Sequence, residues 1–159
     1  MKIKRMEQIG TREVALQKLQ KYCAYQDRCH AEVRNKLFEL KVYGELQEEV
    51  IAALVAEGFL NEERFAANFA RGKLRMNHWG RVKIKMALKQ KQVSDYSIQK
   101  AMQALDEGEY KDVLELRLQK LKAQYGDASS YAVRQKIVQS LLRNGFEMEL
   151  IREALSLEE

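Results

Sequence analysis

The sequence predicts an all-α protein built as three tandem three-helix repeats stacked into an elongated, curved array. Three observations carry this reading. Proline is absent and only eight glycines occur in 159 residues, so few points interrupt helical runs. Apolar residues recur at helical spacing at Val133, Ile137, Leu141 and Leu142, and less completely at Val14, Leu16 and Leu19. One short form also returns three times along the chain.

That form is Arg-x-Lys followed by Leu or Ile: RNKL at 34–37, RVKI at 81–84 and RQKI at 134–137. Downstream lie VIAAL at 50–54, IQKAM at 98–102 and IREAL at 151–155, each an apolar residue with Ala and Leu or Met three and four places later. From the Arg to that Ala the separations are 19, 20 and 20 residues, with repeat periods of 47 and 53. Paired matches at nearly constant separation mark an internal repeat. Units of this size bury little alone, so stacking has to supply the common core.

The chain divides into a flexible lead-in at 1–10 and repeats at 11–58, 59–108 and 109–159. Helices are expected near 11–24, 29–43 and 46–57 in the first repeat, and near 61–76, 79–92 and 95–107 in the second. The third places them near 109–124, 128–144 and 147–156. Asn61 followed by Glu62 and Glu63 suits a helix start, a capping side chain ahead of acids at the positive end of the dipole. Gly58, Gly108, Gly126 and Gly145 are expected at chain reversals, where the left-handed conformation ends helices. The stretch VKIKM alternates apolar and basic like a strand, but its siblings RNKLFEL and RQKIVQSLL read as helix, and the repeat decides for helix.

Charge is unevenly placed. Eight of the 22 residues in RGKLRMNHWGRVKIKMALKQKQ, 71–92, are Lys or Arg, and no acid lies between Phe65 and Ser94. The remainder holds 23 acids against 20 bases, so this window alone makes the net charge +5. Arg81 and Lys83 have siblings in both other repeats, Arg34 with Lys36 and Arg134 with Lys136, which fits either a shared scaffold role or a contact role. Lys85 stands where the siblings have Phe38 and Val138, and Lys89 where they have Val42 and Leu142. Val82 and Met86 show the reverse exchange, against Asn35 and Gln135 and against Glu39 and Gln139.

At about 100° per residue, Ile84, Ala87 and Leu88 form the buried stripe, Val82 and Met86 fall well outside it, and Arg81, Lys85 and Lys89 lie between. Bases beside exposed apolar groups suit docking on an anionic partner; packing of Val82 and Met86 against a neighbouring repeat is the other reading. Arg71, Lys73 and Arg75 close the preceding helix, where cations favour the negative end of the dipole. Trp79, between His78 and Gly80, is either a wedge between helices or a stacking platform.

Other classes find little support. No P-loop or GxSxG occurs, and two histidines with two cysteines, Cys23 and Cys29, form no metal pattern, so neither catalysis nor a cofactor is expected. No apolar run approaches the roughly 20 residues a bilayer requires, and MKIKRMEQIG lacks a signal-peptide core. A cytoplasmic location with reduced thiols is expected.

HAEVRNKL, then VIAALVAEGFLNEERFAANFARGKL, resembles the regulatory RecX proteins, modulators of the bacterial recombinase RecA. EGFLNEERFAANFARGKL, Glu57 to Leu74, carries the resemblance most specifically; Gly80-Arg81-Val82-Lys83-Ile84 and RNGFEMELIREAL extend it. Asn61 stands where the family usually has Asp, and Gln92 where it has Gly, so a different turn is expected there. The resemblance implies tandem three-helix repeats without catalytic groups, and binding of a monomer in the groove of the RecA–single-stranded-DNA filament. It implies suppression of ATPase and strand exchange and limited filament growth. The basic window, Arg71, Lys73, Arg75, His78, Trp79, Arg81, Val82, Lys83, Lys85, Met86 and Lys89, would then face the filament. Direct binding of DNA by the same bases is the alternative.

Overall fold

The computed structural model describes the backbone of residues 2–126 and 128–156, and side chains from residue 10 onward. Nine helices occur among the described residues: α1 (Lys2–Tyr25), α2 (His30–Glu39), α3 (Gly44–Ala56), α4 (Glu62–Asn77), α5 (Arg81–Gln90), α6 (Asp95–Ala104), α7 (Glu107–Tyr125), α8 (Tyr131–Arg143) and α9 (Met148–Ser156). The described residues contain no strand, so VKIKM is helical, within α5. The helix expected from residue 11 starts at Lys2, which takes the backbone of residues 2–10 of the expected lead-in 1–10 into α1; residue 1 and the side chains of 2–9 lie outside what the structure describes. So do residues 157–159, the end of the third repeat.

The repeat explains what is buried. Leu37, Ile84 and Ile137, the apolar residues of the three Arg-x-Lys forms, are each fully buried. So, nearly, are the downstream Val50 and Leu54, Ile98 and Met102, Ile151 and Leu155. Each fully buried Leu or Ile contributes about 1.5–3 kcal/mol, which is why these positions hold the repeat together.

The chain clusters into two compact units: Met1–Phe65 with Lys91–Val93, and Ala66–Gln90 with Ser94–Glu159. In the first, Ala15, Leu19 and Cys23 of α1 pack with Val33, Leu37, Val50, Ile51 and Leu54 of α2 and α3. The Arg28 guanidinium lies 3.7 Å from the Tyr22 ring centroid, and its Nε donates to the Tyr22 carbonyl at 3.1 Å. Cys23 and Cys29 are free thiols; burial pushes both above the ordinary thiol range, which keeps them protonated and unreactive.

Helix boundaries follow local chemistry. The Asn61 Oδ1 accepts from the Arg64 N–H at 2.9 Å and caps α4, as its sequence suggested. The second helix of every repeat is followed by a left-handed residue: Lys41 at φ 61°, Gln92 at φ 61° and Gly145 at φ 94°. Gln92 therefore keeps a left-handed turn without glycine. Gly108 does not make the reversal expected of it. It lies in the first turn of α7, because Asp106 is extended and its Oδ2 accepts from the Glu109 N–H at 2.8 Å, capping the helix two residues earlier.

In the second unit two interhelix turns nest closely. The Gly80 N–H donates to the Asn144 carbonyl at 2.7 Å, and the Val82 N–H to the Gly145 carbonyl at 2.9 Å. A Cβ on Gly80 would stand 2.3 Å from the Gly145 carbonyl carbon, so the α4–α5 and α8–α9 turns meet backbone to backbone. Tyr110 and Phe146, both buried, pack beside them with ring centroids 5.6 Å apart.

Candidate functional site

The site is carried by α4 from Arg71 onward, the turn 78–80 and α5, all in the second unit. Phe65, Ala66, Ala70 and Leu74 bury one face of α4 and leave its cations on the other. His78 ends the helix at φ 57°, an uncommon conformation for a residue with a side chain, and the Trp79 N–H folds back to the Lys73 carbonyl at 3.1 Å. Gly80 then allows the close turn from which α5 departs.

The eleven expected residues separate into three groups. Val82, Lys85, Met86 and Lys89 are exposed, Val82 at 47% and Met86 at 59%. Their spacing is i, i+3, i+4 and i+7, so they form one stripe along α5, alternately apolar and cationic. No ion pair among the described residues engages Lys85 or Lys89. The packing reading of Val82 and Met86 therefore gives way: their side chains face solvent.

The second group surrounds the indole. The Lys73 and Lys83 ammonium groups lie 4.8 and 4.5 Å from the half-buried Trp79 ring. The Arg71 guanidinium donates to Asn68 Oδ1 at 2.6 Å. Burial, then the charges of Lys120 and Arg117, hold the His78 imidazole below its usual pKa, which favours its neutral form. Arg117 and Lys120 are a cationic addition from α7 that the sequence reading did not include. The Arg117 Nε is buried without a hydrogen-bond partner among the described residues. Their one-turn spacing on α7 was visible, but nothing in it points to His78.

The third group is neutralised from α7 and the turn before α9. Arg75 pairs with Glu109 through Nε and, at 3.1 Å, through Nη2. Arg81 donates to Glu147 at 2.8 Å and to Glu107, and its guanidinium lies 3.8 Å from the Tyr110 centroid. The Arg81 N–H donates to the Tyr110 hydroxyl at 3.0 Å, which in turn donates to Glu147. Burial first, and the hydrogen bond to Glu147 second, push the Tyr110 phenol above its ordinary range, so it stays a donor. With its side chain 15% exposed, Arg81 belongs to the fold. Its sibling Arg34 also meets an acid of its own repeat, Glu48 on α3, but both of those side chains are largely exposed.

Arg81→Ala is therefore expected to cost roughly 1–3 kcal/mol, since it takes the guanidinium away from the half-buried Glu147 carboxylate and from the Tyr110 ring while the Tyr110–Glu147 hydrogen bond remains. Thermal or urea unfolding would check this; a loss under about 0.5 kcal/mol would place Arg81 among ordinary surface cations.

Fold and site together define a helical-repeat protein that presents a cationic helix face. The pattern of the RecX second three-helix domain matches residues 61–102, and that of the RecX third three-helix domain matches residues 109–155. Together these span more than half of the chain, which belongs to the RecX family of regulatory proteins. Regulatory protein RecX of Leuconostoc mesenteroides subsp. mesenteroides is 30% identical over 119 residues, 75% of this chain and 45% of that protein. Regulatory protein RecX of Lactobacillus johnsonii is 29% identical over 136 residues, 86% of this chain and 50% of that protein. The chain thus spans about half the length of the curated relatives it matches. The crystal structure of RecX from Lactobacillus salivarius superposes with a TM-score of 0.85 at 25% identity, covering 94% of this chain and 99% of that one.

Proposed function

We propose that the protein regulates homologous recombination by binding the RecA–single-stranded-DNA filament, in its helical groove, and inhibiting its ATPase, recombinase and filament-extension activities. Membership of a regulatory family supports a partner-binding role. The α5 stripe is the observation that carries the proposal: Lys85 and Lys89 are free to meet negative charge, and Val82 and Met86 supply apolar contact beside them. Crowded like charge costs self-repulsion, and an anionic partner offsets it. Action as a cytoplasmic monomer is part of this proposal. No described helix is long and apolar enough to cross a membrane.

The test is a titration of RecA ATP hydrolysis on single-stranded DNA. Inhibition is expected well below one molecule per recombinase protomer. Unchanged hydrolysis at equimolar protein would sink the proposal.

A second reading, direct contact with DNA, is favoured by the cations Lys73, Lys83, Arg117 and Lys120 around Trp79 and His78. On naked duplex it requires affinity to fall with a log–log salt slope of about −0.9 per neutralised phosphate. A flat salt response would remove it.

A further inference from the structure

Two of the window's arginines are held by carboxylates, and the two pairings differ in kind. Arg81 lies in a half-buried network with Glu147, Glu107 and Tyr110, and its release would cost the fold. Arg75 is 57% exposed and meets one acid, Glu109, itself 31% exposed. The contact is a two-toothed fork, Nε and Nη2 against the two carboxylate oxygens, a geometry matched to carboxylates. Arg71 lies one turn earlier on the same helix, at the i, i+4 spacing that shares a face with Arg75.

Glu109 does not depend on that fork for its place. It sits in the first turn of α7, where the helix dipole favours an anion and where Asp106 already holds its N–H. Release of Arg75 would therefore leave Glu109 in a favourable position, and the exposed fork, screened by water, contributes no more than about a fivefold factor in the equilibrium. Met76, the next residue of the helix, is 84% exposed.

We infer that Arg75, with Arg71, forms a carboxylate-recognition site which Glu109 fills in the free protein and vacates for an acidic segment of a protein partner. The site is an internal brake: the chain's own acid must be displaced before the α4 cations engage. The inference deepens the proposed partner-binding role and rests on it for biological use, but the site can be probed without the filament.

The probe is an oligoglutamate peptide, titrated at low salt while the Arg75 Nε–H resonance is followed by NMR. Glu109→Gln is compared with the wild type and with Glu115→Gln, which changes net charge equally on the same helix but bonds only to Gln119 among the hydrogen bonds described for it. Glu109→Gln is expected to lower the half-saturating concentration about two- to fivefold, the range of an exposed ion pair, and Glu115→Gln to leave it unchanged. Equal tightening in both variants would reduce the effect to net charge and overturn the inference. So would an Arg75 resonance that ignores the peptide, or one that responds more strongly to an oligothymidylate of equal charge. The filament ATPase is measured on the same three proteins. A wild type that fails to inhibit would end the regulatory reading, and the titration would still decide the site.

Discussion

Gly80→Ala is expected to destabilise the protein by more than about 3 kcal/mol, at the upper end of overpacking effects. Its new Cβ would lie 2.3 Å from the Gly145 carbonyl carbon and 2.4 Å from the Phe146 nitrogen. Both are backbone atoms, so no flexible side-chain end can move aside. The turns would have to separate, taking with them the Gly80–Asn144 and Val82–Gly145 hydrogen bonds. Gly72→Ala is the matched control. It lies inside α4 with nothing within 4 Å of the added carbon, and should gain about 0.5–1 kcal/mol from the better helix former. Urea unfolding of the two variants measures the contrast. A Gly80→Ala loss below about 1 kcal/mol would mean that the turns do not pack as described.

Lys85→Glu combined with Lys89→Glu is expected to raise the concentration needed for ATPase inhibition at least about tenfold, with unfolding shifted by less than about 0.5 kcal/mol. Each reversal replaces an attraction by a repulsion, and in water a contact pair is worth about 1 kcal/mol. Both lysines are exposed and stand outside the described ion pairs, so the fold loses nothing with them. Arg81 is left out of this test because its reversal would set a carboxylate against Glu107 and Glu147. Full inhibition by the double variant would move the contact face elsewhere. A large fall in stability would return the lysines to the scaffold.

The helices, and the residues on which they pack, were legible because their causes are local. Asn61 caps α4 through an N–H three residues away, and Leu37, Ile84 and Ile137 recur because each repeat needs the same buried residue. The α5 stripe was legible for the same reason, since four residues on one helix fix their own relative directions. Where local chemistry offered two solutions, the reading went astray. Glycine at 108 suggested a turn, but Asp106 two residues before it was the stronger signal. His78 and Gln92 adopt left-handed conformations that no glycine announced.

From composition, periodicity and self-similarity alone came the helical class, the threefold repetition, the cationic window and the placing of Val82 and Met86 outside the buried stripe of their helix. Tertiary structure alone decided which cations remain free. Glu107, Glu109 and Glu147 come from α7 and the turn before α9, and they select Arg75 and Arg81 while leaving Lys85 and Lys89 in water. It also brought Arg117 and Lys120 toward His78. The physical reason is range. Helix formation depends on neighbours within about four residues, whereas a charge is neutralised by whatever the fold carries to within a few ångströms, however distant in the chain.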